Sequence, residues 1–194
     1  MKYLKKLGFV AVWMGVMMAY ASNASATVLT SPPGVALPAG VEVQASAESS
    51  LLLRAGFANI TCTESVLIMK TENPGGPVET VRGPVSHLTF SNCNATVHVL
   101  KKGSLEFHVI GNGPYGTVTS TGTEVTVSTL GTSCTYGTKN TDIGNLTGSA
   151  YTTTSATLDV SASLTKTAGG FLCNSPAPWE GSYVITSPWY LDVS

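Results

Sequence analysis

Two histidines and a glutamate occur close together in a pattern that a zinc or copper ion could use. His98, Glu106 and His108 fall on two short β-prone runs that flank Lys101-Lys102-Gly103. A three-residue loop with glycine in its third place is a common hairpin turn. Folding the runs about it sets His98 opposite Glu106 and diagonal to His108, which brings two imidazoles and a carboxylate together. The alternative, which we prefer, is a solvated strand face of polar partners, so we predict no metal ion and no other cofactor.

The same hairpin predicts which side chains enter the core. Its register places Val97 opposite Phe107 and Val99 opposite Leu105 on a wholly apolar face. Because successive strand residues point to opposite faces, His98 and its polar neighbours then face outward. A slip of one residue would exchange the two faces together.

Carboxylates elsewhere in the chain are candidates for the acid and base of a glycoside hydrolase. That chemistry needs two carboxyl groups that flank one bond, and the sequence singles out no such pair. The nucleophile elbow Gly-x-Ser-x-Gly, the zinc motif His-Glu-x-x-His and a Gly-rich phosphate loop are all missing from it. We therefore predict no enzymatic activity and no catalytic residue, and keep a secreted hydrolase with an unrecognised carboxylate pair as an alternative. The candidate carboxylates are Glu64, Glu124, Asp142, Asp159 and Glu180.

Aromatic residues concentrate near the C-terminus. Trp179, Tyr183, Trp189 and Tyr190 are candidates for ligand binding, because exposed aromatic rings stack on sugars or cover an apolar ligand. In the alternative interpretation, alternate residues from Trp189 to Val193 form the inward face of a last strand, and Trp179 caps the core.

The four cysteines indicate a disulfide framework. Cys62, Cys93, Cys134 and Cys173 are separated by 31, 41 and 39 residues, which fits neither a Cys-x-x-Cys redox motif nor a zinc site. An even number of widely spaced cysteines in an exported chain favours disulfides. We predict the pairs Cys62–Cys93 and Cys134–Cys173, while the two other connectivities remain open.

The N-terminus has the order of a secretory signal peptide, which we assign to residues 1–26. Lys2, Lys5 and Lys6 precede an apolar run from Leu7 to Ala21, and small residues at 24–26 follow it as a cleavage site. A run of this length falls short of the roughly 18 residues of a membrane span. We expect a bacterial protein that is secreted, in the periplasm, outside the cell or at the cell surface, with no transmembrane segment after cleavage.

Composition bounds the mature chain. The leader holds three of the ten basic residues and none of the eleven acids, which leaves seven basic and eleven acidic residues and a net charge of −4. A weakly acidic chain with scattered basic residues has no footprint for a phosphate backbone, so nucleic acid is not an expected partner. A chain of 168 residues buries enough surface for a single domain, residues 27–194.

Short apolar alternations broken by Gly and Pro turns predict an all-β fold, an antiparallel β-sandwich or barrel-like arrangement held by two disulfides. Residues 27–40 contain three prolines and are predicted to be an extended lead-in. Helix content is expected to be near zero, and an outer-membrane barrel is the architectural alternative. The predicted strands are Val41–Ala47, Ser50–Arg54, Ala58–Thr63, Val66–Lys70, Glu79–Arg82, Val85–Phe90, Ala95–Leu100, Ser104–Ile110, Thr117–Ser120, Glu124–Leu130, Ser133–Tyr136, Ser155–Leu164, Ser182–Ile185 and Trp189–Val193.

Several phrases of the mature chain resemble an uncharacterised family of small secreted bacterial all-β proteins. They include ANITCT from Ala58, HLTFSNC from His87, TVHVLKKGSLEFH from Thr96, TDIGNLTGS from Thr141 and WEGSYVITSPWYLDV from Trp179. The resemblance implies export, the four cysteines and an all-β fold, and it supplies no activity. The plan of a signal peptide before a small Thr- and Gly-rich β domain is also similar to that of secreted activators of alkane oxidation in bacteria.

Three functions are compatible with these features. The first is a non-enzymatic extracellular or cell-surface structural or adhesion component, which self-associates through uncovered strand edges or binds a cell-surface partner. The second is a secreted binding module for an apolar or carbohydrate ligand, including a helper of hydrocarbon use. The third is the hydrolase. An apolar cavity would favour the second, and two carboxyls about 5 to 9 Å apart in a cleft would favour the third.

Overall fold

Strands account for all the regular structure in the described chain. The computed structural model describes residues 27–32, 34–76, 79–111, 114–149 and 155–194, and the predicted signal peptide lies outside these ranges. The strands within them pair antiparallel and no helix occurs there, which confirms the predicted all-β class. In this part of the chain no helix has the length and apolar character to cross a membrane.

Fifteen strands are found in the described residues. They are β1 Thr27–Thr30, β2 Glu42–Ala47, β3 Leu51–Arg54, β4 Asn59–Lys70, β5 Gly75–Gly76, β6 Val81–Cys93, β7 Thr96–Lys101, β8 Ser104–Val109, β9 Tyr115–Thr121, β10 Glu124–Thr129, β11 Thr132–Gly137, β12 Thr141–Thr147, β13 Thr157–Gly169, β14 Ala177–Ser187 and β15 Asp192–Val193.

Eight long lines of strand close into a barrel. Four of these lines each consist of two consecutive strands that run in the same direction, namely β2 with β3, β7 with β8, β9 with β10, and β11 with β12. For example, Lys101 of β7 pairs with Glu124 of β10, and the next pair along the same two lines is Ser104 of β8 with Thr121 of β9. With β4, β6, β13 and β14 these make eight lines in sequence order. Strand β14 pairs with β13 on one side and with β2 and β3 on the other, so the ring closes and leaves few free edges.

The predicted hairpin at Lys101-Lys102-Gly103 is wrong. Strand β7 pairs with β10, and β8 pairs with β6 and β9, so the chain passes through these residues without reversing direction. Gly103 has a φ of 68° and sits at a kink within one long line. A glycine in the left-handed region serves a β-bulge as well as a hairpin turn, and the local sequence does not distinguish the two.

The barrel is apolar inside and polar outside. Along β13, Leu158, Val160 and Ala162 are buried, whereas Asp159 and Ser161 are exposed. Leu105 and Phe107 are buried as predicted, and Val97 and Val99 pack against the same core.

The first and last strands of the described chain, β1 and β15, cover one end of the barrel, which we call the covered end. Strand β1 pairs with β15 and β5, and Val109 at the end of β8 donates its N–H to Thr27 Oγ1 over 3.2 Å. Leu29 and Leu37 are buried. The segment predicted as an extended lead-in is therefore part of the fold and supplies core residues.

Both predicted disulfides are present. Cys62 and Cys93 lie directly opposite each other on β4 and β6, with Cα atoms 4.0 Å apart. Cys134 of β11 is bonded to Cys173, which precedes β14, with Cα atoms 5.8 Å apart. Both bonds lie toward the end of the barrel away from β1.

Candidate functional site

The barrel wall has one unpaired junction in its described part, between β6 and β7. These strands follow each other in the chain, and β6 pairs with β8 from Val81 to Pro84, but the rest of β6 and β7 form no ladder together. We call this junction, between residues 86–93 and 96–101, the seam. One end of the seam is closed by the chain turn at residues 93–96. At the other end Val85 donates its N–H to the Gly103 carbonyl over 2.9 Å.

An apolar cavity of about 60 Å³ lies inside the barrel behind the seam. A single buried water needs roughly 10–15 Å³ measured in this way, so the cavity has room for a few water-sized groups. Lys102 is the one charged residue among the described residues that line it, and its Nζ donates to the Ser86 carbonyl over 2.6 Å. The surface that lines the cavity is therefore mostly hydrocarbon. Its apolar lining includes Leu51, Leu53, Ile60, Leu67, Leu88, Phe90, Val97, Leu105, Val125, Val127, Leu164 and Trp179.

The lining residues that solvent partly reaches lie at and near the seam. Phe90 belongs to β6 and Val97 to β7, and both are half-buried, as are Val125 and Trp179. The Phe90 and Trp179 rings meet edge to face with centroids 6.3 Å apart. These side chains form an apolar lip at the seam, where the two strand backbones form no ladder with each other.

A cluster of hydroxyl groups closes the cavity near the kink at Gly103. Ser120 Oγ lies 3.0 Å from both Thr123 Oγ1 and Thr138 Oγ1, and Thr123 Oγ1 donates to the Lys102 carbonyl over 2.9 Å. No buried side-chain polar atom among the described residues lacks a partner. Since these hydroxyls satisfy one another, they do not require a polar ligand.

The four aromatic candidates separate into different environments. Trp179 lines the cavity, whereas Trp189 is 72% exposed at the covered end and does not form an inward strand face. Tyr183 is buried, and its hydroxyl lies 2.9 Å from Ser65 Oγ, which donates to the Thr89 carbonyl. Burial raises the pKa of the Tyr183 phenol above its usual range. Tyr190 is also buried, so the chain offers no aromatic strip formed by all four.

The structure does not assemble the predicted group of His98, Glu106 and His108. His98 is exposed on β7 opposite Thr126, while Glu106 lies on β8 opposite Arg82 and Thr119. The grouping depended on pairing β7 with β8, which does not occur. Among the described residues no three histidine, cysteine or acidic side chains are placed to hold a metal ion.

Most of the candidate carboxylates have a partner of their own. Glu180 accepts from Arg54 Nη2 over 2.8 Å, and Glu64 accepts from Ser91 and Asn92. The Lys101 ammonium, 2.8 Å away, and the Thr167 hydroxyl hold the pKa of Glu124 below its usual value. Asp142 Oδ1 accepts the N–H of Gly144, and Asp159 is exposed on β13.

The sequence contains the cavity residues but does not identify them as a site. Leu88, Val97 and Trp179 each occur in an ordinary strand pattern, and they come together on the cavity wall through pairings between strands far apart in the chain. Comparison of the chain with family models, with curated proteins and with solved structures found no match.

Proposed function

We propose that this protein is an exported, non-enzymatic binding module that takes a slender apolar ligand, such as an alkyl chain, into its barrel through the seam. The observation that carries the proposal is the apolar cavity behind the unpaired edges of β6 and β7. Export is supported by the predicted signal peptide and by the two disulfides.

The size of the barrel supports this function. An eight-stranded barrel has an interior just wide enough to be filled by side chains or to hold one small ligand. The half of the barrel that contains the cavity is bounded by β3, β4, β6, β7, β10, β11, β13 and β14. The other half, at the covered end, is filled by side chains such as Val118 and Leu146. A ligand that is apolar along its whole length, such as an alkyl chain, fits a cavity whose described lining has no free polar group.

The alternatives have less support in the geometry. Self-association through strand edges has less support, because the unpaired edges of β6 and β7 lie side by side at the seam in a wall that is otherwise paired in the described residues. A hydrolase would need two carboxyls poised on one cleft, and the cavity lining contains no carboxylate of the described residues.

Blocking the lip is expected to weaken ligand binding. In a Trp189→Phe background Trp179 is the one tryptophan left after residue 26, and its fluorescence reports on the cavity during titration with n-alkanols of increasing length. We expect saturable binding that tightens about fourfold per methylene until the cavity is filled. Val97→Phe, which places a ring in the lip, should weaken binding at least about tenfold.

The matched control is His98→Phe, the same new side chain one residue along β7 on the outer face. It should bind like the parent protein. Equal weakening in both variants, or no saturable change of Trp179 fluorescence with any alkanol, would count against the proposal, provided that thermal melts show both variants folded.

A further inference from the structure

The end of the barrel away from β1 carries no charged residue in any of its four connections. Gly56 forms a bridge with Cys173, and Ser128 pairs with Thr96, so these connections meet at one end. We call it the uncharged end. Lys166 lies on its flank, where Nζ donates to the Gly170 and Cys173 carbonyls over 3.4 Å each. The connections are residues 55–59, 91–96, 128–133 and 167–175.

The two most exposed large apolar side chains of the described residues are at this end. Leu130 is 93% exposed in the β10–β11 turn, and Phe171 is 94% exposed in the β13–β14 connection, with Leu172 beside it at 47%. The two connections are neighbours, because Cys134 of β11 pairs with Gly169 and is disulfide-bonded to Cys173. The disulfide thus links β11, which follows the turn with Leu130, to the connection that carries Phe171.

Leu130 also occupies an unfavourable backbone position. It and Gly131 form the two-residue loop between Thr129 and Thr132, with φ values of 50° and 76°. Such loops favour Asn-Gly, since a bulky residue at positive φ is strained. Neither folding nor solubility accounts for a leucine here, and strain of this kind points to a role outside the fold.

The opposite end has a different character. Glu72 and Glu79 lie in the connection from β4 to β6 there, and Lys70 at the end of β4 and Arg82 at the start of β6 flank it. Asp192 lies in β15 beside β1. The β4–β6 connection at the covered end is therefore charged, whereas the four connections at the uncharged end contain no charged residue and have charges such as Lys166 and Glu64 only on their flanks.

We propose that the uncharged end docks on a lipid bilayer by inserting Leu130 and Phe171 below the headgroups. A bilayer accepts projecting apolar side chains without a complementary pocket, and interfacial binding grows with the apolar area inserted. The four connections contain no basic residue, and the flanking Arg54 and Lys166 are engaged with Glu180 and with backbone carbonyls, so anionic lipid is not needed for attachment. The inference stands independently of the cavity, because it rests on residues that do not line it.

Vesicle sedimentation with the purified, oxidised protein tests the docking. Phosphatidylcholine vesicles should bind the parent protein, and both Leu130→Asn and Phe171→Ser should lower the partition coefficient at least about tenfold, the factor expected when one large apolar side chain stays in water. Raising the salt from about 0.1 to 0.5 M should leave partitioning within about twofold, and anionic lipid should add nothing.

Two controls separate docking from other effects. Trp189→Ala removes an exposed aromatic side chain from the covered end and should leave vesicle binding unchanged. Leu130→Asn should melt no lower than the parent, because asparagine suits the turn. Absence of vesicle binding by the parent, binding that salt abolishes, or binding that survives Leu130→Asn and Phe171→Ser combined in one chain would overturn the proposal. Concentration-dependent self-association through this end in place of vesicle binding would do so as well.

Discussion

Replacing Gly83 with alanine is expected to destabilise the protein by at least about 3 kcal/mol. Gly83 is buried on β6, and a Cβ atom there would stand 1.9 Å from the Lys70 carbonyl oxygen and 3.2 Å from Met69 Cε. A backbone oxygen cannot move aside as a side chain can, so β4 and β6 would have to separate. Urea unfolding gives the free energy from the midpoint and slope.

Gly76→Ala is the matched control for this substitution. Its Cβ would meet no atom within 4 Å and its φ is not in the left-handed region, so stability should change by less than about 0.5 kcal/mol. The expected loss at Gly83 follows from the close approach of β4 and β6 where β6 turns from β8 to the seam. A Gly83→Ala variant within about 1 kcal/mol of the parent would show that the two strands have more freedom there than the structure allows.

Removing the Cys134–Cys173 disulfide with a pair of alanine substitutions is expected to lower the free energy of unfolding by about 4 kcal/mol. In the chain-entropy model this is the loss for a cross-link that spans 39 residues. The bond is buried and ties β11 to the connection that carries Phe171. Hydrogen exchange in residues 170–174 should therefore accelerate in the variant.

The Cys62–Cys93 pair provides the comparison. Its separation of 31 residues predicts a similar global loss, but it joins β4 to β6 and does not support residues 170–174. Removing it should leave hydrogen exchange of that connection unchanged under native conditions. Equal acceleration in both variants would mean that the Cys134–Cys173 bond does not hold the connection locally.

The region around Gly103 shows which features of this fold the sequence pattern predicts and which it does not. Alternation along the two runs correctly places Leu105 and Phe107 inside and His98 outside, because burial follows a period of two residues. Which strands become neighbours depends on contacts far away in the chain, such as Val97 with Val127. The predicted hairpin is wrong for this reason, and so is the placement of His98 opposite Glu106 that followed from it.

The disulfide pairs were predicted with the two other connectivities left open, whereas the cavity was not predicted. Cys62 near the start of β4 lies opposite Cys93 at the end of β6, and Cys134 of β11 lies opposite Gly169 of β13, so antiparallel pairing of neighbouring strands brings the partners together. Strand β12 was not predicted, because the polar and flexible residues of Thr141–Thr147 give little apolar alternation. The cavity depends on two neighbouring strands failing to pair, and no residue type marks that event.

Methyl-resolved NMR during titration with 1-octanol is the most direct test of the proposed binding function. We expect saturable shifts for the methyl groups that line the cavity, among them Leu88, Val97 and Val127, and none for Leu146 in the filled half of the barrel. Shifts confined to exposed groups such as Leu130 and Leu172, or no saturable shift of the cavity methyl groups, would contradict it.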